Sequence, residues 1–170
     1  MNAIHQIGGE LTTGFLTLST CVRVYVRRMR SNRSIPASTV VPVLVYPDVR
    51  AAVAWLEEAF DFAERVRIGE DHRAQLAVGD GAVIVADVGG ARTPPAADVA
   101  THLVMVRVDD ARRHCERSVA AGARVVDPLT DHVYGERQYT AVDPWGHRWT
   151  FSETLEDTAP GDWGGIAVAG

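Results

Sequence analysis

The fold is decided by the stretch Pro42-Val43-Leu44-Val45-Tyr46-Pro47-Asp48 and by its counterpart Leu103-Val104-Met105-Val106-Arg107-Val108-Asp109-Asp110, with Asp48 and Asp110 offset by 62 residues. Each is an apolar, β-branched run that ends on an aspartate. Apolar residues then recur at helix spacing: Val49, Val53, Leu56 and Phe60 in the first copy, and Ala111, Cys115 and Val119 in the second. Such a run reads as a strand. An aspartate just ahead of a 3.6-residue periodicity reads as a helix cap, because its carboxylate accepts the unpaired N–H groups of the first turn. Asp48 caps the first helix, and Asp109 or Asp110 the second.

Outward from the first helix, Phe62 to Ile68, Arg73 to Val78 and Ala82 to Asp87 read as three further strands, the last two joined by the turn Gly79-Asp80-Gly81. In the second half Gly122 is placed to end the helix in the left-handed conformation and Arg124 to Val126 forms a strand. A loop follows through Pro128 and Tyr134. Gln138 to Val142 and His147 to Phe151 then make a hairpin closed by Asp143-Pro144-Trp145-Gly146. Both halves are βαβββ. The expected fold class is therefore α+β: two βαβββ modules, 39–88 and 99–154, joined by a Gly- and Pro-bearing linker, 89–98. Each has one helix on a small curved sheet, and the opposite sheet faces form a cup. A ferredoxin-like sandwich lacks the two extra strands seen in each half.

The flanks differ from this body. Residues 1–38 read as an N-terminal extension and 155–170 as an irregular tail that Trp163 could pin. All 17 basic residues are arginine, which excludes Schiff-base and phosphate-loop lysine chemistry. Residues 1–35 carry a net charge of +4 and the remainder −9. So acidic a body disfavours nucleic acid and favours neutral or cationic small ligands. The apolar stretch Phe15 to Val26 lacks the preceding positive charge and the cleavage site of a signal peptide, and no run is long enough to span a membrane. Two cysteines, Cys21 and Cys115, give no disulfide framework and no metal knuckle, which fits a cytoplasmic protein.

Further motifs carry a resemblance: Ala54-Trp55-Leu56 with Ala59-Phe60, Gly135-Glu136-Arg137, and the turn Asp143-Pro144-Trp145-Gly146-His147-Arg148-Trp149. With the two strand–aspartate runs, they resemble the vicinal oxygen chelate superfamily of glyoxalase I, bleomycin-resistance proteins and extradiol dioxygenases, over Val40 to Thr154. The resemblance implies a homodimer and a small-molecule ligand in the cup. In metal-dependent members it further implies His or Glu ligands on the first, fourth, fifth and eighth strands. Here the matching positions fall at Val41, near Val85 and near Thr150, none a metal donor, while the fifth strand offers His102 or Leu103. An ion needs three or four N or O donors, so no metal cofactor is expected. A shifted set of His72, His102, His147 and Glu153 does not converge, because strand alternation puts Arg148, Thr150 and Ser152 on one face and His147, Trp149, Phe151 and Glu153 on the other.

The site candidates follow from that face. His102 is the one candidate acid–base catalyst. Gln75, Tyr134, Gln138, Thr140, Trp145, Arg148 and Thr150 are candidate ligand-binding residues, each with a plainer reading as turn, sheet-surface or packing residue. Trp55 reads as core or dimer contact, Cys115 as core, and Arg137 as the partner of a ligand carboxylate or, as the plainer reading, of a nearby acid such as Asp143. Three functions remain open: a metal-free binding protein of the bleomycin-resistance type that sequesters a natural-product-like ligand, an enzyme such as a glyoxalase-like lyase, isomerase or tailoring enzyme, and an interaction domain whose cup its own side chains fill.

Overall fold

The computed structural model describes residues 32–96 and 99–168. The apolar stretch Phe15 to Val26, Cys21 and the arginines before Arg33 lie outside the described residues. The first module runs β1 (Val43–Tyr46), α1 (Val49–Phe60), β2 (Ala63–Ile68), β3 (Arg73–Val78) and β4 (Gly81–Asp87); the second runs β5 (Val104–Arg107), α2 (Ala111–Ala120), β6 (Arg124–Asp131), β7 (Glu136–Val142) and β8 (Arg148–Thr154). The sheets are ordered β1-β4-β3-β2 and β5-β8-β7-β6. In each, the first strand lies parallel to the fourth and the other pairs are antiparallel, so one topology occurs twice.

The caps work as the aspartates imply. Asp48 Oδ1 accepts the Ala51 N–H at 2.8 Å, and Asp110, not Asp109, accepts the Arg113 N–H at 2.9 Å. Gly122 takes the left-handed conformation just past α2, at φ +92°. Two expectations need correction. The strand after α2 does not stop at Val126 but runs through Pro128 to Asp131, because its ladder with β7 slips at Asp127 and again before Thr130; a proline with no N–H fits such a bulge. The inward face of α2 is also turned by one residue. Val119 is 52% exposed while Ser118 is buried. Polar pairing sets this rotation: Ser118 Oγ lies 2.9 Å from the Tyr139 hydroxyl and donates to the His114 carbonyl at 2.8 Å.

Both helices and the helix-facing sides of both sheets share one core. Leu44, Tyr46, Leu76 and Val85 come from the first sheet, and Tyr139, Ala141, Trp149 and Phe151 from the second. Phe60, at the end of α1, joins them, with ring centroids 5.5 Å from Trp149 and 4.7 Å from Phe151. Since these faces meet in the core, alternation turns Val43, Gln75 and Ile84 of the first sheet outward, with Gln138, Thr140, Arg148, Thr150 and Ser152 of the second. The two cup faces therefore do not close on each other through that core.

A single buried carboxylate joins the halves. Asp143 Oδ2 accepts the Tyr46 hydroxyl at 2.7 Å and the Trp149 indole N–H at 3.3 Å, while Oδ1 accepts the backbone N–H groups of Trp145 and His147 at 3.0 and 2.9 Å. Arg137 does pair with a nearby acid, but with Asp131 rather than Asp143: Asp131 stands directly opposite it across the β6–β7 ladder, while the turn lies at the far end of β7. Replacing Tyr46 with Phe removes one charge-assisted bond from this cluster and is expected to lower the unfolding free energy by about 1.5–3 kcal/mol, read from urea denaturation.

Candidate functional site

The β7–β8 register sets Glu136, Gln138 and Thr140 opposite Thr154, Ser152 and Thr150 on the outward face. Neighbours across a ladder lie close enough for side-chain hydrogen bonds, and these form throughout. Thr140 and Thr150 hydroxyls are 2.9 Å apart, Gln138 Nε2 donates to Ser152 Oγ at 3.0 Å, and the Tyr134 hydroxyl donates to Gln138 Oε1 at 3.1 Å. Ser152 and Thr154 donate to Glu136, whose pKa they hold below its ordinary 4.5, the Ser152 bond contributing most and Arg107 adding attraction. Thr140, Thr150 and Ser152 are almost wholly covered. Tyr134 stands at its end, stacked on His132 at 4.9 Å and edge-on to Trp163 at 5.7 Å.

Towards the Asp143–Gly146 turn lie two adjoining hollows of about 390 and 350 Å³ that share Pro95, Val99, Gly146 and Arg148. The second takes in Val43 and Val45 of β1, His102 and His147. Arg148 thus lines both. His102 is exposed at the margin, its Nδ1 3.1 Å from Thr101 Oγ1. His147 is buried, with Nε2 2.9 Å from the Val45 carbonyl. That bond needs a proton on Nε2. Desolvation first, and His102 nearby, depress the pKa of His147 despite the Val45 bond and Asp143. Trp145 borders the first hollow but is fixed edge-on against Tyr46 at 5.3 Å and Trp55 at 6.2 Å.

The expected ligand-binding residues thus fall into three places. Tyr134, Gln138, Thr140 and Thr150 share the polar floor; Arg148 and Trp145 border the hollows with His102; Gln75 stands apart on the other sheet. Gln75 is only 4% exposed, since its Nε2 donates to the Ser34 carbonyl at 2.9 Å and its Oε1 accepts from Arg65 at 2.5 Å.

The residues present do not fit the metal of the metal-dependent relatives. Val85 faces the core, and the outward β4 positions, Ile84 and Ala86, carry no donor. The shifted set is dispersed: His72 pairs with Asp87 at 3.1 Å, His147 with Val45, and Glu153 with the Ala111 N–H at 3.0 Å. Among the described residues no three His, Cys, Asp or Glu side chains stand close enough to hold an ion.

A further polar group escaped the sequence because it hides in an apolar face. His114 Nδ1 lies 2.6 Å from the Tyr139 hydroxyl, which also meets Ser118. Burial lowers the His114 pKa from its ordinary 6.5 and pushes that of Tyr139 well above its ordinary 10. Both His114 and His147 are depressed in the folded state, so the unfolded chain takes up their protons first as pH falls. Their contribution is present above the unfolded value and is lost as pH falls through about 6.5. Unfolding in urea is expected to require less denaturant at pH 5.5 than at pH 7.5, with part of that drop removed in His114→Gln.

Residues 39–151 match the model of the Glyoxalase/Bleomycin resistance protein/Dioxygenase superfamily. An uncharacterized protein of Mycobacterium tuberculosis is 30% identical over 129 residues, which cover 68% of this chain and 74% of that one. Among solved structures, TioX from Micromonospora sp. ML1 is 40% identical, covering 69% of this chain and 99% of its own, with a TM-score of 0.58. The fosfomycin resistance protein FosX from Mesorhizobium loti is 18% identical, covers 70% of this chain and 95% of its own with a TM-score of 0.53, and supports the fold alone.

Proposed function

The chain belongs to the Glyoxalase/Bleomycin resistance protein/Dioxygenase superfamily, and from that membership we propose that it is a metal-free small-molecule binding protein of the bleomycin-resistance kind. The observation that carries this reading is the outward face of β7 and β8. Where metal-dependent relatives place a ligand, this chain has Thr150, tied into a row of hydroxyls and an amide. Such a row orients a ligand through its remaining hydrogen-bonding capacity; it does not hold an ion. Tyr134 adds a ring on which a planar or cationic group can stack, Glu136 supplies negative charge at the same end, and Arg148 supplies a guanidinium at the other. The acidic body favours a ligand that is neutral or cationic overall.

The working form is a homodimer in the cytoplasm. The cup faces lie outside the shared core, and Val43 and Met105 on them are 49% and 58% exposed, so a second copy is the natural cover. Among the described residues no helix is long and apolar enough to cross a membrane.

One observation favours a second reading, an enzyme: His102 stands at the margin of the hollow that Arg148 enters, a pairing of proton exchanger and charge. Loss of turnover in His102→Ala with an unchanged melting curve is its test. For the binding reading, saturable binding to at least one member of a panel of cationic and aromatic antibiotics is expected. Thr150→Val and Arg148→Ala should each weaken that binding about five- to tenfold, measured by calorimetry. Zn, Ni, Mn, Fe and Mg are expected to leave the thermal midpoint of the untagged protein unmoved. No binding across the panel, or a clear upward shift with one metal, overturns it.

A further inference from the structure

Around Gln75, part of the first sheet's outward face is covered by the chain itself. Arg65 Nη2 donates to the Arg33 carbonyl at 2.7 Å, and Gln75 Nε2 donates to the next carbonyl, Ser34, at 2.9 Å. The two side chains are joined through Arg65 Nη1 and Gln75 Oε1, so they form one clamp reading two consecutive backbone carbonyls. The segment it holds has a defined shape: Asn32 Oδ1 accepts the Ser34 N–H and its carbonyl accepts the Ile35 N–H. Pro36 beyond it is buried, and Ser38 Oγ reaches the Asp80 carbonyl in the β3–β4 turn. The chain from Asn32 to Ser38 is therefore docked, although the sequence reads it as extension, and it lies outside the 39–151 span matched by the superfamily model.

Gln75 is the one outward residue of β3 proposed for ligand binding, and both ends of its amide are spent on this contact. A ligand can use it only after the segment leaves. We propose that residues 32–38 are a self-masking strap, clamped by Arg65 and Gln75 over the first sheet's share of the cup, which a cup ligand displaces. The inference rests on the binding function proposed above. When only the unstrapped form is competent, apparent affinity is the intrinsic affinity reduced by the fraction of molecules that are open. Loosening the clamp then tightens binding without adding a contact to the ligand.

Arg33 makes the strap measurable, because trypsin cleaves after arginine and cleavage follows the open population when reclosing is fast. The full-length chain and its Arg65→Ala variant are digested under native conditions, and the fragment beginning at Ser34 is timed by mass spectrometry. Arg65→Ala is expected to speed cleavage at Arg33 about tenfold, for two lost hydrogen bonds, and Arg65→Lys to fall between. Arg67→Ala, on the neighbouring exposed ion pair with Glu64, should leave the rate unchanged. Anilinonaphthalene sulfonate, a fluorescent probe of apolar clefts, should bind Arg65→Ala more tightly than the parent, by a factor that tracks the cleavage factor. Cleavage at Arg33 that Arg65→Ala does not change, or probe affinity that stays constant while cleavage rises, overturns the strap. The cleavage arm uses no natural-product ligand. Failure of the antibiotic panel therefore leaves the cleavage result standing, and unchanged cleavage leaves the panel result standing.

Discussion

The buried Asp143 carboxylate is the constraint on which the rest of the structure depends. It sits in the turn between β7 and β8, yet its hydrogen bonds reach β1 through Tyr46 and β8 through Trp149. A buried charge is tolerable only when its acceptor sites are filled, and here four donors from three parts of the chain fill them. The requirement fixes the turn, the entry of β8 and the approach of the first module together. The outward row on β8 then follows by alternation, since Trp149 cannot turn inward to Asp143 without Arg148 and Thr150 facing out.

Much of this is legible in the residues. Asp48 and Asp110 mark both helix starts, because a capping carboxylate acts over three residues and leaves a local trace. Alternation along Arg148 to Ser152 likewise assigns faces without reference to any partner. What the sequence conceals is set by contacts distant along the chain. Ser118 lies inward in place of Val119 because Tyr139, 21 residues on, offers a hydroxyl. Gln75 appears as a free cup residue until the Ser34 carbonyl, 41 residues earlier, is seen upon it. Apolar spacing reports which residues avoid water; it is silent on which polar groups find each other in the interior. The candidate site was thus legible as a face but not as an arrangement, and the partition of its residues among floor, hollows and the other sheet required the fold.

Duplication explains why two such different faces coexist. Both modules share strand order, cap and core, but the core uses only their helix-facing sides. The outward sides are left free to diverge, one into a row of hydroxyls, the other into a surface of Val43, Val45 and Ile84 around a single glutamine.

The hydrogen bond between His147 and the Val45 carbonyl has one more consequence. β1 ends its sheet, and a terminal strand presents a row of unpaired backbone groups on which a further chain can grow by strand addition. The imidazole occupies one of those acceptors midway along a four-residue strand. What remains on either side is too short to template a ladder. A side chain contributed by the second module thereby occupies an edge acceptor of the first that strand addition would otherwise use.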